Sequence, residues 1–98
     1  MTSKPPPISE AAFSAQIKDA FDMFGWTSYH TYRSTRSEPG FPDWCAFRGP
    51  RLVFAELKTE KGKLRPEQEQ WLMGLENTVA EVYLWRPSDL QLAVEILR

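Results

Sequence analysis

The stretch from Gly40 to Lys58, Gly-Phe-Pro-Asp-Trp-Cys-Ala-Phe-Arg-Gly-Pro-Arg-Leu-Val-Phe-Ala-Glu-Leu-Lys, decides how this chain folds. Two runs rich in apolar residues, Trp44 to Phe47 and Leu52 to Leu57, flank Gly49-Pro50. Gly supplies the positive φ and Pro the fixed negative φ of a type II′ turn, so the spacing predicts a β-hairpin. A turn centred between Gly49 and Pro50 sets the register and puts Asp43 opposite Glu56. Facing residues of an antiparallel pair hold their Cβ atoms roughly 4.5 to 5.5 Å apart, so two carboxylates project together from one face. Like charges that close repel unless something positive sits between them. Strand alternation also places Lys58 on the Glu56 face, with Ala55 and Leu57 pointing the other way. Two carboxylates and an ammonium on rigid strands suit a hard divalent cation and an anionic substrate. The plainer alternative is the solvated polar face of a half-buried hairpin. Against it, Glu56 and Lys58 stand at the end of the apolar run Val53-Phe54-Ala55, where solvation alone does not ask for charge.

With 98 residues and 42% hydrophobic content, the chain has material for one small core and no second one. The net charge of −1 argues at first against a nucleic-acid partner, but the charge is uneven. From His30 to Arg65, eight cations (Arg33, Arg36, Arg48, Arg51, Lys58, Lys61, Lys63, Arg65) face four acids (Glu38, Asp43, Glu56, Glu60). A bound cation would make the face around Asp43 and Glu56 more positive still, so a phosphate-backbone partner is compatible with a pI of 5.8. Cys45, inside the first hairpin strand, reads as a small core residue. One Cys and one His, His30, allow neither a disulfide framework nor a zinc site. With no long apolar stretch and no charged-then-apolar leader, the expectation is a soluble intracellular protein with no membrane contact.

Residues 1–8, with Pro5-Pro6-Pro7, are expected to form a flexible arm ahead of a single domain at 9–98. Ser9 is a good N-cap, and Phe13, Ile17, Ala20, Phe21 and Phe24 give a core-facing helical stripe that Gly25 ends. Trp26 to Arg33 reads as the first strand, and Ser34 to Pro42 as a loop that delivers Asp43 to the hairpin. Pro66 opens a helix running through Gln68, Trp71, Leu72 and Leu75. Ala80 to Arg86 is a further strand, with Val82, Leu84 and Arg86 on one face and Glu81, Tyr83 and Trp85 on the other. Ser88-Asp89-Leu90-Gln91 reads as a capping box for a last helix striped by Leu90, Val94 and Leu97. The order is αβββαβα, an α/β sandwich around a central mixed sheet. Glu10 falls in the first turn of the first helix, where favouring the helix dipole is a sufficient reason for an acid.

Pro42-Asp43 followed by Glu56-Leu57-Lys58 resembles the PD-(D/E)XK nuclease signature. More narrowly, Gly40-Phe41-Pro42-Asp43, Phe54-Ala55-Glu56-Leu57-Lys58-Thr59-Glu60-Lys61-Gly62 and Leu64-Arg65-Pro66-Glu67-Gln68 together resemble the small stand-alone VRR-NUC domains common in bacteriophages. Over most of the chain, from about Glu10 to Arg98, the resemblance implies a restriction-endonuclease-like core and magnesium-dependent DNA cleavage, with manganese able to substitute. It implies Asp43, Glu56 and the Leu57 carbonyl as metal ligands, with Glu10 as an outer or second-metal ligand. Lys58 would orient or help deprotonate the attacking water, and Gln68 would position that water or the phosphate. Arg65 stands where the family usually has a capping serine.

His30, Arg33, Arg36, Lys61, Lys63 and Arg65 are the expected DNA contacts, although an ordinary edge strand and solvated loop would also account for the first three. Branched DNA is the expected substrate, as for Holliday-junction resolvases, with flap or nicking activity and a catalytically weak binding module as alternatives. The expected setting is the cytoplasm of a bacterial or phage-infected cell. Four Trp, three Tyr and six Phe exceed what one small core needs. The Trp26 to Tyr32 strand and the strand with Tyr83 and Trp85 are therefore the expected carriers of a homodimer interface, a monomer with those aromatics in its core being the alternative.

Overall fold

The computed structural model describes residues 7–32 and 37–98. Its elements are α1 (Glu10–Met23), β1 (Thr27–His30), β2 (Trp44–Arg48), β3 (Arg51–Leu57), α2 (Pro66–Glu76), β4 (Glu81–Trp85), a 3-10 turn (Pro87–Asp89) and α3 (Leu90–Leu97). This is the expected αβββαβα order with one short turn added before α3. The expected flexible arm falls almost wholly outside the described residues.

The strands form one sheet in the order β1-β2-β3-β4, the first three antiparallel and β4 parallel to β3. A parallel neighbour needs a crossover, and α2 provides it. In the hairpin, Gly49 takes φ 57°, Arg48 pairs with Arg51 and Trp44 pairs with Ala55. The next pair outward from Trp44 and Ala55 is Asp43 and Glu56.

Alternation along the strands sorts the two faces. Trp44, Ala46, Val53, Ala55, Leu57 and Trp85 pack with Phe13, Ile17 and Phe21 of α1 and Ala93 and Leu97 of α3. Cys45, Phe54 and Glu56 point to the other face, where α2 lies. Cys45 is therefore half-buried outside the main core, contrary to expectation, and burial raises its thiol pKa. The N-cap of α1 is as expected, with the Ser9 hydroxyl accepting from the Ala12 N–H at 3.1 Å.

Trp26 corrects the strand expected at 26–33. It turns inward before β1, its indole N–H donates to the Leu97 carbonyl at 2.8 Å, and the Arg48 and Arg51 guanidinium groups lie 4.7 and 4.9 Å from its ring. Arg48 also donates to the carbonyls of Phe24 and Leu97, and Arg51 to that of Ile96, so side chains satisfy carbonyls that a helix C-terminus leaves without partners. Trp26 and Trp85 are thus core residues and do not carry an interface. Tyr83 stacks on Trp85 and gives its hydroxyl proton to Glu81. The capping box expected at Ser88 is also absent. Ser88 bonds Glu60 through its N–H and hydroxyl, while Asp89 Oδ2 accepts the Arg86 N–H at 2.9 Å and closes the 3-10 turn.

Candidate active site

Asp43 sits one residue before β2, gripped by both neighbouring strands. The Thr31 N–H donates to its carbonyl at 2.8 Å, and the Leu57 N–H donates to its Oδ2 at 2.8 Å. Across from it, Glu56 is 2% exposed, and its Oε1 accepts from Gln68 Nε2 at 3.2 Å. Gln68 is itself 6% exposed, and its Oε1 accepts the Arg65 N–H at 2.9 Å. An arginine side chain cannot accept a hydrogen bond. The third helical residue therefore serves the start of α2, and the missing serine cap is compensated from within the helix. The same bonds tie Gln68 to Glu56 and to the start of α2, while the second N–H of Nε2 is left for a water or a phosphate.

Glu56 Oε2 is buried and has no hydrogen-bond partner among the described residues. Burial first, and then the Asp43 charge, push the Glu56 carboxyl up to about 8, while Lys58 pulls it the other way. A side-chain hydrogen bond with Asp43 favours the protonated form as well, so a proton fills this site below about pH 8, and once the proton is lost a buried oxygen without a donor beside a second carboxylate calls for a cation. Hard oxygen donors on fixed strands fit a divalent cation such as magnesium, which needs only one or two carboxylates and completes its shell with water and phosphate oxygens.

An open cleft of about 890 Å³ is lined by Asp43, Glu56, Lys58, Arg65, Gln68 and Glu10, among others. Glu10 reaches this wall as an exposed residue of the first turn of α1. It does not complete a cage, because among the described residues no three His, Cys, Asp or Glu side chains converge closely enough to hold an ion. Leu57 and His30 line a neighbouring hollow that also touches Asp43. The His30 ring is half-buried 4.7 Å from that of Trp44. Lys61, Lys63 and Arg65 are exposed along the segment leading into α2. Arg33 and Arg36 lie outside the described residues.

Two features of the site depend on partners far along the chain. Gly40, at φ 93°, lets the loop lie against the start of α2, where an added Cβ would stand 2.5 Å from the Glu67 carbonyl oxygen. Arg86 is the second. Its Nη1 donates to the carbonyls of Thr59 and Gly62 at 2.6 and 2.7 Å, while Glu60 accepts from the Ser88 N–H at 2.6 Å. The loop that follows Lys58 is thereby stapled to the end of β4. Removing the staple in Arg86→Ala is expected to free the loop after Lys58, raising amide hydrogen exchange at residues 59–62 about tenfold or more with little change in melting temperature. Hydrogen-exchange rates with a melting curve for the variant check the point.

No protein-family model and no curated protein matches the chain. Fold and site together define a mixed α/β sandwich with a carboxylate pair at one end of its sheet. The particular fold is that of a VRR_NUC domain: a solved structure described by that name superposes with a TM-score of 0.71 at 23% identity, covering 88% of this chain and 94% of that one. No helix among the described residues is long and apolar enough to cross a membrane.

Proposed function

We propose that the protein is a VRR-NUC nuclease of the PD-(D/E)XK type, a magnesium-dependent endonuclease that hydrolyses phosphodiester bonds in branched or otherwise structured DNA. The observation that carries this reading is the orphaned, buried Glu56 Oε2 beside Asp43, in the lining of a cleft that also holds Lys58. Asp43 and Glu56, with the Leu57 carbonyl, would hold the ion, and Glu10 would reach it through water. When bound, magnesium supplies charge that polarises the phosphate and lowers the pKa of an attacking water.

The chain's own residues do the rest. The Leu57 N–H and Gln68 Nε2 fix the two carboxylates so that neither rotates away from the site. Lys58, on the Glu56 side of the sheet, offers an ammonium to the attacking water and to the charge that grows on the phosphoryl oxygens. Arg65, Lys61 and Lys63 supply exposed cations for flanking phosphates, and Arg33 and Arg36, outside the described residues, are candidates by their charge alone. A domain of this size has little surface for base readout, so backbone and shape dominate recognition.

Magnesium incubation with labelled junction, flap, nicked and linear DNA tests the proposal. Cleavage of structured substrates in preference to the linear duplex is expected, with calcium supporting binding but not cutting. Affinity should fall with salt by roughly one log-log unit for each phosphate contact. A flat salt response would point to a partner other than nucleic acid.

A homodimer would bring two such sites to one two-fold junction. With Trp26 and Trp85 in the core, support for it rests on β1, an edge strand of the sheet that carries the exposed Tyr29. Sedimentation equilibrium at low micromolar concentration checks it, and a single species at the 11.4 kDa monomer mass would contradict it.

A further inference from the structure

Two exposed tyrosines, Tyr29 and Tyr32, line the cleft of the carboxylate pair, and of the two only Tyr29 is fixed on a paired strand. It is 62% exposed, yet it sits on a paired strand opposite Cys45, on the sheet face that carries Phe54 and Glu56. Thr31, whose N–H holds the Asp43 carbonyl, lies two residues further along the same face. Tyr29 is therefore one side-chain row behind the carboxylate pair, on the order of 7 Å along the strand. It lines the same cleft as Asp43, Glu56 and Lys58.

The α2 side of that cleft is a rigid aromatic wall. Trp71 is tied by its indole N–H to the Pro39 carbonyl at 3.1 Å, and Phe41 packs edge-on against both Trp71 and Phe54. A cleft lined by Lys58 and Arg65 as well as by Tyr29, Phe41 and Trp71 matches the two halves of a nucleotide, an anionic phosphate and a flat base. In a continuous duplex the base is stacked and paired, and its face is closed to a side chain. Only an unpaired nucleotide can present it.

We infer that Tyr29 stacks on an unpaired nucleobase next to the scissile phosphate. The substrate class is then DNA with unpaired nucleotides at the cleavage position, such as a flap, a fork or an opened junction. This rests on the nuclease reading above and narrows it. Tyr29 acts as a specificity residue and takes no part in the chemistry.

The test uses full-length Glu56→Gln protein, to prevent cutting, with fork and blunt-duplex oligonucleotides carrying 2-aminopurine at successive positions around the cleavage site. Binding should quench the fluorophore at one or two unpaired positions of the fork and at none in the duplex. Adding Tyr29→Ala should abolish that quenching and weaken fork binding about tenfold, leaving duplex affinity within about twofold. Tyr29→Phe should keep both properties, since it retains the ring. Unchanged quenching and affinity in Tyr29→Ala would overturn the inference and leave the nuclease reading intact. Loss of dimerisation in Tyr29→Ala with quenching preserved would also overturn it, in favour of a contact between copies. No binding to any DNA by any variant would overturn both readings.

Discussion

Glu56→Gln is expected to reduce cleavage by roughly a hundredfold or more, the scale of losing a fixed electrostatic group at a reacting centre, while making the cation-free protein more stable at alkaline pH. The two effects have one cause. In the folded chain the Glu56 carboxyl is raised from 4.5 to about 8 by burial and by Asp43, whereas in the unfolded chain it titrates as an ordinary glutamate. A raised carboxyl pKa contributes stability that is fully present below the unfolded value and is lost as pH rises through the folded one. Without a divalent cation, the wild-type melting temperature should therefore fall between about pH 5 and pH 8. In Glu56→Gln that slope should flatten, and at pH 9 the variant should melt higher than wild type by about 5 °C, a modest free-energy change in a domain of this length. The Gln68 contact can survive, because a glutamine oxygen still accepts from Nε2. Thermal melts of both proteins across pH 5 to 9 in chelator check the sign. Equal slopes would mean that Glu56 is not protonated in the fold.

Gly40→Ala is the second large effect, and it couples the fold to the site. A Cβ at Gly40 would lie 2.5 Å from the Glu67 oxygen, 2.6 Å from its carbonyl carbon and 2.9 Å from the Gln68 nitrogen, all of them backbone atoms, and the residue holds φ 93°. Neither obstacle can be relieved by a rotamer change, so the loop must part from the first turn of α2. The expected cost is about 2 kcal/mol or more in urea unfolding, combining backbone strain with the steric clash. Cleavage should also fall, because displacing Gln68 releases Glu56. Gly25→Ala serves as the control. It has a similar positive φ of 78° but nothing within 4 Å of the added atom, so strain alone remains and its cost should be about half as large. Similar losses in the two variants would show that the close approach of Gly40 to α2 contributes nothing.

The hairpin was legible because its signals are local: a Gly-Pro turn fixes the register, and the register fixes which residues face each other. The α1 stripe and its Ser9 cap were legible for the same reason. What escaped the sequence depends on partners far along the chain. Strand periodicity separates the Cys45 face from the Trp44 face but does not say which helix covers which. Cys45 was therefore expected in a core that lies behind the sheet from it. Trp26 reads as strand until Arg48, Arg51 and the Leu97 carbonyl are brought beside it. Ser88 has the spacing of a cap, but Glu60, 28 residues earlier, takes both of its polar groups. At the candidate site, Asp43, Glu56, Lys58 and Gln68 do share one cleft, whereas the commitment of the Gln68 amide to Glu56 and Arg65 follows from packing that no spacing rule expresses. Arg86 gave no signal at all, since an arginine after a strand is ordinary and its three carbonyl partners lie on a loop more than twenty residues away.

The central claim is that Asp43 and Glu56 form a divalent-cation site, and direct binding of manganese tests it without any substrate. Electron paramagnetic resonance of free manganese, titrated with wild-type protein at pH 8, should show saturable loss of the free-ion signal that weakens as pH is lowered toward 6 and the Glu56 proton competes. Asp43→Asn and Glu56→Gln should each lose at least about tenfold in affinity while retaining a cooperative melt. Equal manganese binding by wild type and both variants, or none by the folded wild type at pH 8, would contradict the assignment.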